Sequence, residues 1–149
     1  MYKRQEEDFA RSHPAGNLGR RLLLRVRDVM RTGANVPTVR EDTALAEGLL
    51  EMTRKGLGMT AVLDPSDRVA GVFTDGDLRR ALDRAADLHT TRMGDVMTRH
   101  AKAVHADVLA AEAVHLMEEH RITSLLVVDA AGHAVGALNV HDLMRAGVV

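Results

Sequence analysis

Thr74 ends an apolar run, Val69-Ala70-Gly71-Val72-Phe73, and is followed by Asp75-Gly76-Asp77-Leu78 and then by Arg79 and Arg80. A hydroxyl at a strand end with a helix starting behind it can receive a phosphate, because the first N–H groups of a helix lack intrahelical partners and carry partial positive charge. An aspartate three residues on, Asp77, can accept hydrogen bonds from ribose hydroxyls. Gly76 allows a ligand to come close to the backbone, and Arg79 and Arg80 bring cations on the next turn, Arg79 to neutralise it. The same Thr-x-x-Asp spacing is that of a helix capping box, which only holds a helix end. Both readings stand at this level.

The stretch returns 65 positions later as Ala134-Val135-Gly136-Ala137-Leu138-Asn139-Val140-His141-Asp142-Leu143, with Asn139 for the threonine and Asp142 for the aspartate. Upstream, Lys55-Gly56-Leu57-Gly58-Met59 faces Thr74 if the flanking strands form a hairpin. Lys55 would then add a cation. A helix C-cap accounts for Gly56 but not for Gly58, which favours a role for Gly58 in ligand approach. Because Asn139 replaces the threonine, the two clefts should differ, and one alone suffices for a ligand.

These residues must be carried by a repeated element. At the same offset Asp64 maps to Asp129, Val62 to Val127, Leu57 to Ile122, Met52 to Met117 and Leu49 to Val114, which separates a true repeat from an echo of one motif. The opening Val26-Arg27-Asp28-Val29-Met30 returns as Met93-Gly94-Asp95-Val96-Met97, 67 positions on. Each unit reads β-α-β-β-α. In the first, residues 37–39 are extended. Asp42 or Thr43 caps a helix with Leu45, Leu49 and Met52 on one face, and Gly56 ends it. Residues 60–63 and 69–73 form a hairpin around Asp64-Pro65-Ser66-Asp67, and a helix covers 75–84. The second unit repeats this with a helix over 108–121, strands over 124–128 and 134–138, and a last helix over 140–145. Residues 18–30 carry leucines and valines at helical spacing and predict a lead-in helix, or two short ones. The fold class is therefore α/β (α+β), a small mixed sheet with helices. The divisions are a leader over 1–19, a first unit with lead-in helix over 20–86 and a second over 87–149.

A chain of 149 residues with 46% hydrophobic content suits one compact domain or two small units sharing a core. Units of roughly 60 residues are marginal alone and gain by packing together. The 20 Lys plus Arg against 21 Asp plus Glu give no global field for nucleic acid or membrane. Arginines gather at Arg20, Arg21, Arg25, Arg27 and Arg31 and at Arg79, Arg80 and Arg84, as a solvated helix face or an anion-facing patch. The absence of cysteine excludes disulfides and thiolate metal sites. His115 and His120 do not share a helical face, so no zinc pattern and no metal is expected. Walker and Rossmann fingerprints are absent, which leaves no cofactor to expect, and two Phe, one Tyr and no Trp give little surface for stacking bases. No apolar run approaches a membrane span and no signal peptide opens the chain, so the expected compartment is cytoplasmic. The apolar helices over 45–52 and 110–117 exceed what one small sheet can cover, which predicts at least a dimer.

The two β-α-β-β-α units, each opened by Asp-Val-Met and closed by Gly, two apolar residues, Thr or Asn, and Asp-Leu, resemble a tandem of cystathionine-β-synthase-type (CBS) domains, a Bateman module. More narrowly, Glu7-Asp8-Phe9-Ala10-Arg11-Ser12-His13-Pro14-Ala15-Gly16, Met52-Thr53-Arg54-Lys55-Gly56-Leu57-Gly58-Met59, Phe73-Thr74-Asp75-Gly76-Asp77-Leu78-Arg79-Arg80 and Arg145-Ala146-Gly147-Val148-Val149 resemble the C-terminal half of bacterial D-arabinose 5-phosphate isomerases. That resemblance implies a parent aldose-ketose isomerase, tetrameric, which feeds synthesis of Kdo (3-deoxy-D-manno-octulosonate) for lipopolysaccharide. Its sugar isomerase domain has no counterpart here. His13 matches the family's catalytic histidine, but the lysine and carboxylates that work with it are absent, so this chain alone is expected to be inactive. The resemblance further implies a regulatory module that senses a nucleotide or a nucleotide-sugar such as CMP-Kdo. The alternative is a module that only holds subunits together.

Overall fold

The computed structural model describes residue 19 and residues 23–149. His13, Arg20, Arg21 and the leader up to residue 18 lie outside the described residues. In chain order the elements are α1 (Val26–Val29), a 3-10 turn (Gly33–Asn35), β1 (Thr38–Arg40), α2 (Leu45–Lys55), β2 (Met59–Leu63), β3 (Val69–Thr74) and α3 (Asp75–Asp83). There follow α4 (Met93–Val96), β4 (Thr98–Arg99), β5 (Ala103–Val104), α5 (Ala110–His120), β6 (Ser124–Val128), β7 (Ala134–Asn139) and α6 (Val140–Arg145).

Two sheets result, one ordered β1-β2-β3-β4 and one ordered β5-β6-β7. In each the first pair is parallel and the hairpin antiparallel, with a bulge at Val62/Leu63 and its repeat at Val127/Val128. The hairpin strands are apolar without alternation because both of their faces are buried. Val62 and Phe73 pack under the helices with Leu45, Met52 and Met93, whereas Ala61, Val72, Leu126 and Ala137 form a layer with Leu57 and Met59 in which strands of both sheets meet. Leu125, Val127 and Leu138 repeat the helix-side cluster in the second half, with Ala113, Met117 and Leu143.

The two units exchange their openings. Val26 packs with Ala110, Met117 and Leu138 of the second unit, and Met93 with Leu45 and Phe73 of the first. The backbone follows: Val26 N–H donates to Val108 at 2.8 Å and Met93 N–H to Thr43 at 2.8 Å. The repeated aspartate of each opening caps its own short helix, Asp28 accepting from Arg25 N–H and Asp95 from Arg92 N–H.

This exchange decides between the two readings of the lead-in and corrects one other expectation. In the lead-in, residue 19 and Val26–Val29 are helical, which fits two short helices and not one, because residues 23–25 run alongside the second unit and Arg25 bridges to Leu109. The N-cap of α2 is Ala44, not Asp42 or Thr43. No side chain is needed there because Leu45 N–H donates to Thr91 and Ala46 N–H to Leu88, and α5 is capped the same way by Leu24.

Packing is matched across the exchange by size. Gly48 lies where a Cβ would collide with the Met93 sulfur, while the corresponding pair in the other half is Ala113 with Val26. Gly48→Ala should therefore cost about 1–2 kcal/mol by overpacking against a flexible side chain. Adding Met93→Val copies the other half and should recover part of that loss. A double-mutant cycle in urea reads the coupling, and strictly additive effects would refute it.

No helix among the described residues is long and apolar enough to cross a membrane. Leu50, Leu82 and Met144 remain exposed on the helices.

Candidate functional site

Met59 pairs with Thr74 across the first hairpin, which brings Gly58 and the N-terminus of α3 to the same end of the sheet. There the two halves leave a cleft of about 560 Å³. The first half contributes Gly58, Thr74, Asp75, Gly76 and Arg80, and the second half Thr98, His100 and Lys102 near its start together with residues 120–124. Three cations, Arg80, Lys102 and Arg121, thus share the cleft with one carboxylate, Asp75.

Asp77 lies behind this wall, only 3% exposed. Its carboxylate accepts from Thr74 N–H at 2.9 Å, the Thr74 hydroxyl at 3.2 Å, Arg80 at 2.5 Å and the Thr98 hydroxyl at 2.7 Å. The capping box read from the sequence is therefore formed, and Thr74 accepts a long bond, 3.4 Å, from Asp77 N–H. Asp77 fixes Thr74, Arg80 and Thr98, all three of which line the cleft. The bonds of the Thr74 hydroxyl are long, so turning its proton towards a ligand loses little.

Of the other residues singled out by sequence, Lys55 is engaged elsewhere. Its Nζ lies 2.7 Å from Glu51, and its carbonyl accepts from Arg31. Burial pushes the Glu51 carboxyl up, but the hydrogen bonds from Lys55 and Thr38 N–H and the charges of Lys55 and Arg54 outweigh it and hold the group below the usual carboxylate range. Arg79 is exposed and lies outside the cleft lining, where Arg80 stands instead.

Asn139 and Asp142 form the matching capping box in the second half, with Asp142 N–H donating to Asn139 at 2.9 Å. The place that Thr98 takes against Asp77 is taken against Asp142 by Arg31, at 3.1 and 3.3 Å, and Arg31 also reaches the Lys55 carbonyl. Arg31 is thus held by protein groups and does not stand on a solvated face. Arg27 of the same cluster pairs with Asp107. The two capping boxes are chemically distinct: each buried aspartate holds an arginine of its own helix, Arg80 or Arg145, but one adds a neutral hydroxyl and the other a second guanidinium.

Sequence reasoning missed Thr98, His100, Lys102 and Arg121 as cleft residues, and of the pair Arg79 and Arg80 that it named, Arg80 lines the cleft. The available signal was the offset itself, which sets Arg121 against Gly56 and Thr98 against Arg31.

CBS domains match residues 26–84 and 93–149. The chain is 59% identical over 143 residues to the arabinose 5-phosphate isomerase KdsD of Pseudomonas aeruginosa and 50% identical to that of Escherichia coli. Each alignment covers 96% of this chain but only 44% and 43% of those enzymes. Among solved structures, a conserved protein from Pyrococcus horikoshii superposes with a TM-score of 0.74 at 24% identity, covering 85% of this chain and 93% of that one. CBSX2 in complex with AMP superposes with a TM-score of 0.71 at 26% identity, covering 84% and 96%.

Proposed function

Because the chain belongs to the CBS-domain family and carries two such domains, we propose that it is the ligand-sensing module of an arabinose 5-phosphate isomerase and that the cleft between its halves receives a nucleotide or nucleotide-sugar. CMP-Kdo, the product end of the chemistry such an isomerase feeds, is one ligand of that class. The observation that carries the reading is the convergence on one cleft of Thr74, the N-terminus of α3 and the cations Arg80, Lys102 and Arg121. The nucleotide complex of CBSX2 supports the ligand class.

In this account the phosphate sits against Thr74 and the first N–H groups of α3, with Gly76 admitting it and Arg80 neutralising it. Asp77 acts by holding those groups in place. One ligand binds per chain, since Arg31 occupies the matching position beside Asp142. A cleft built from both halves makes the ligand a clamp on their relative position, which is the means of regulating an attached enzyme.

A second reading, a subunit-holding module with no ligand, is favoured by the satisfied capping boxes and by exposed Leu50, Leu82 and Met144. Thermal unfolding with a nucleotide panel separates the two. A ligand at 100 times its dissociation constant adds about 2.7 kcal/mol of stability, and an empty scaffold does not respond.

Gly76→Ala sharpens the test. An added Cβ would stand 3.6 Å from the Thr74 hydroxyl and 3.7 Å from Arg80, which the fold tolerates but a bound phosphate would not. At the second residue of α3 the variant should gain at most about 0.5 kcal/mol through helix propensity, yet lose the ligand-induced shift. A full shift in that variant contradicts the placement.

A further inference from the structure

Left-handed backbone favours glycine, because an L side chain there crowds the following carbonyl. Among the described residues four others adopt it: Asp67, Ala85, His100 and Arg121. His100 and Arg121 both line the cleft.

Each of these two stands where the other half of the repeat uses glycine. Arg121 ends α5 with φ 54°, as Gly56 ends α2 with φ 68°. His100, two residues after Thr98, has φ 56°, and Gly33, two residues after Arg31, has φ 58°. The same backbone is therefore built twice, once without side chains and once with an imidazole and a guanidinium at the cleft. Glycine would relieve the strain at both positions, so what the side chains contribute is not conformational. Strain of this kind collects where a side chain is needed for contact with something else.

We propose that His100 and Arg121 are specificity-determining residues, which receive a second anionic group on the ligand beyond the phosphate held at Thr74. The proposal rests on the reading of the cleft as a nucleotide site and adds what that nucleotide must carry. Thr74 and Arg80 lie in the first half and Arg121 in the second, so a ligand with two separated anionic groups spans both halves. Lys102, exposed on the same lining, adds to the charge that the second group meets.

Calorimetric titration of the chain with AMP, ADP, CMP and CDP tests this, together with thermal unfolding of Arg121→Gly, His100→Gly and Arg121→Lys. The wild type should bind the diphosphates more tightly than the monophosphates. Both glycine variants should gain about 2–4 °C in Tm from relief of the left-handed side chain. Each should also lose about tenfold in diphosphate affinity, the worth of one charge-assisted hydrogen bond, while monophosphate affinity changes little. Arg121→Lys should keep most of the preference. Wild-type binding with unchanged diphosphate affinity in both glycine variants overturns the inference and leaves the cleft reading intact. A wild type that binds none of the four overturns the cleft reading, and the inference with it.

Discussion

Asp142→Ala is expected to cost about 3–5 kcal/mol, more than the same change at Asp77, although the two residues occupy equivalent positions. The Asp142 side chain is 5% exposed and its partner Arg31 25%, so truncation strands a guanidinium that water reaches poorly. The other cation on Asp142, from Arg145, is 70% exposed and contributes little. At Asp77 the corresponding partner is the neutral Thr98 hydroxyl, and Arg80 is 64% exposed. Asp77→Ala therefore loses a cap and two hydroxyl bonds, one of them long, about 1–3 kcal/mol. Urea unfolding of the two variants measures the difference. Equal losses would mean that Arg31 is solvated in solution and that the second half is as open to a ligand as the first.

Gly71→Ala should cost about 3 kcal/mol, the upper end of overpacking, because the obstacle is backbone. A Cβ at Gly71 would collide with the Thr98 carbonyl oxygen and lie 3.0 Å from the Met97 sulfur. β4 pairs there with β3, Gly71 opposite Arg99 and Val72 opposite Thr98, so the new methyl pushes the opening of the second unit off the first. It should also displace Thr98 from Asp77 and so weaken the cleft. Gly136→Ala disturbs the same contact in the other half, against Met30 and the Arg31 carbonyl, and should lower stability while leaving ligand affinity at the first cleft unchanged. Chemical denaturation read beside nucleotide affinity distinguishes the two. Loss of affinity in Gly136→Ala alone would place the ligand in the wrong half.

The repeat made much of this fold legible. Apolar runs closed by Asp64-Pro65-Ser66-Asp67 and its echo at Asp129 marked both hairpins, and Gly56 marked the end of α2, because each depends on chemistry within a few residues. The capping pairs Thr74 with Asp77 and Asn139 with Asp142 were visible for the same reason. The exchange of Val26 and Met93 between units was not, since a four-residue helix has no periodicity to say which core receives it. The cap of α2 was misplaced because its partners, Thr91 and Leu88, are distant in sequence. The second wall of the cleft was hidden likewise: His100, Lys102 and Arg121 all belong to the other repeat, and only folding sets them beside Thr74. Lys55 looked like a cleft cation because its neighbour Gly58 is in the cleft. Its helical position sets it four residues from Glu51 instead.

The central claim, one nucleotide in the cleft between the halves, is tested most directly by nuclear magnetic resonance of the isotopically labelled chain titrated with AMP and with CMP. The account predicts saturable shifts at one site per chain, concentrated on the amides of Gly58, Gly76, Lys102 and Arg121, with Gly132 in the distal hairpin unmoved. No shift with either nucleotide, or shifts centred on Asn139 and Asp142, would contradict it.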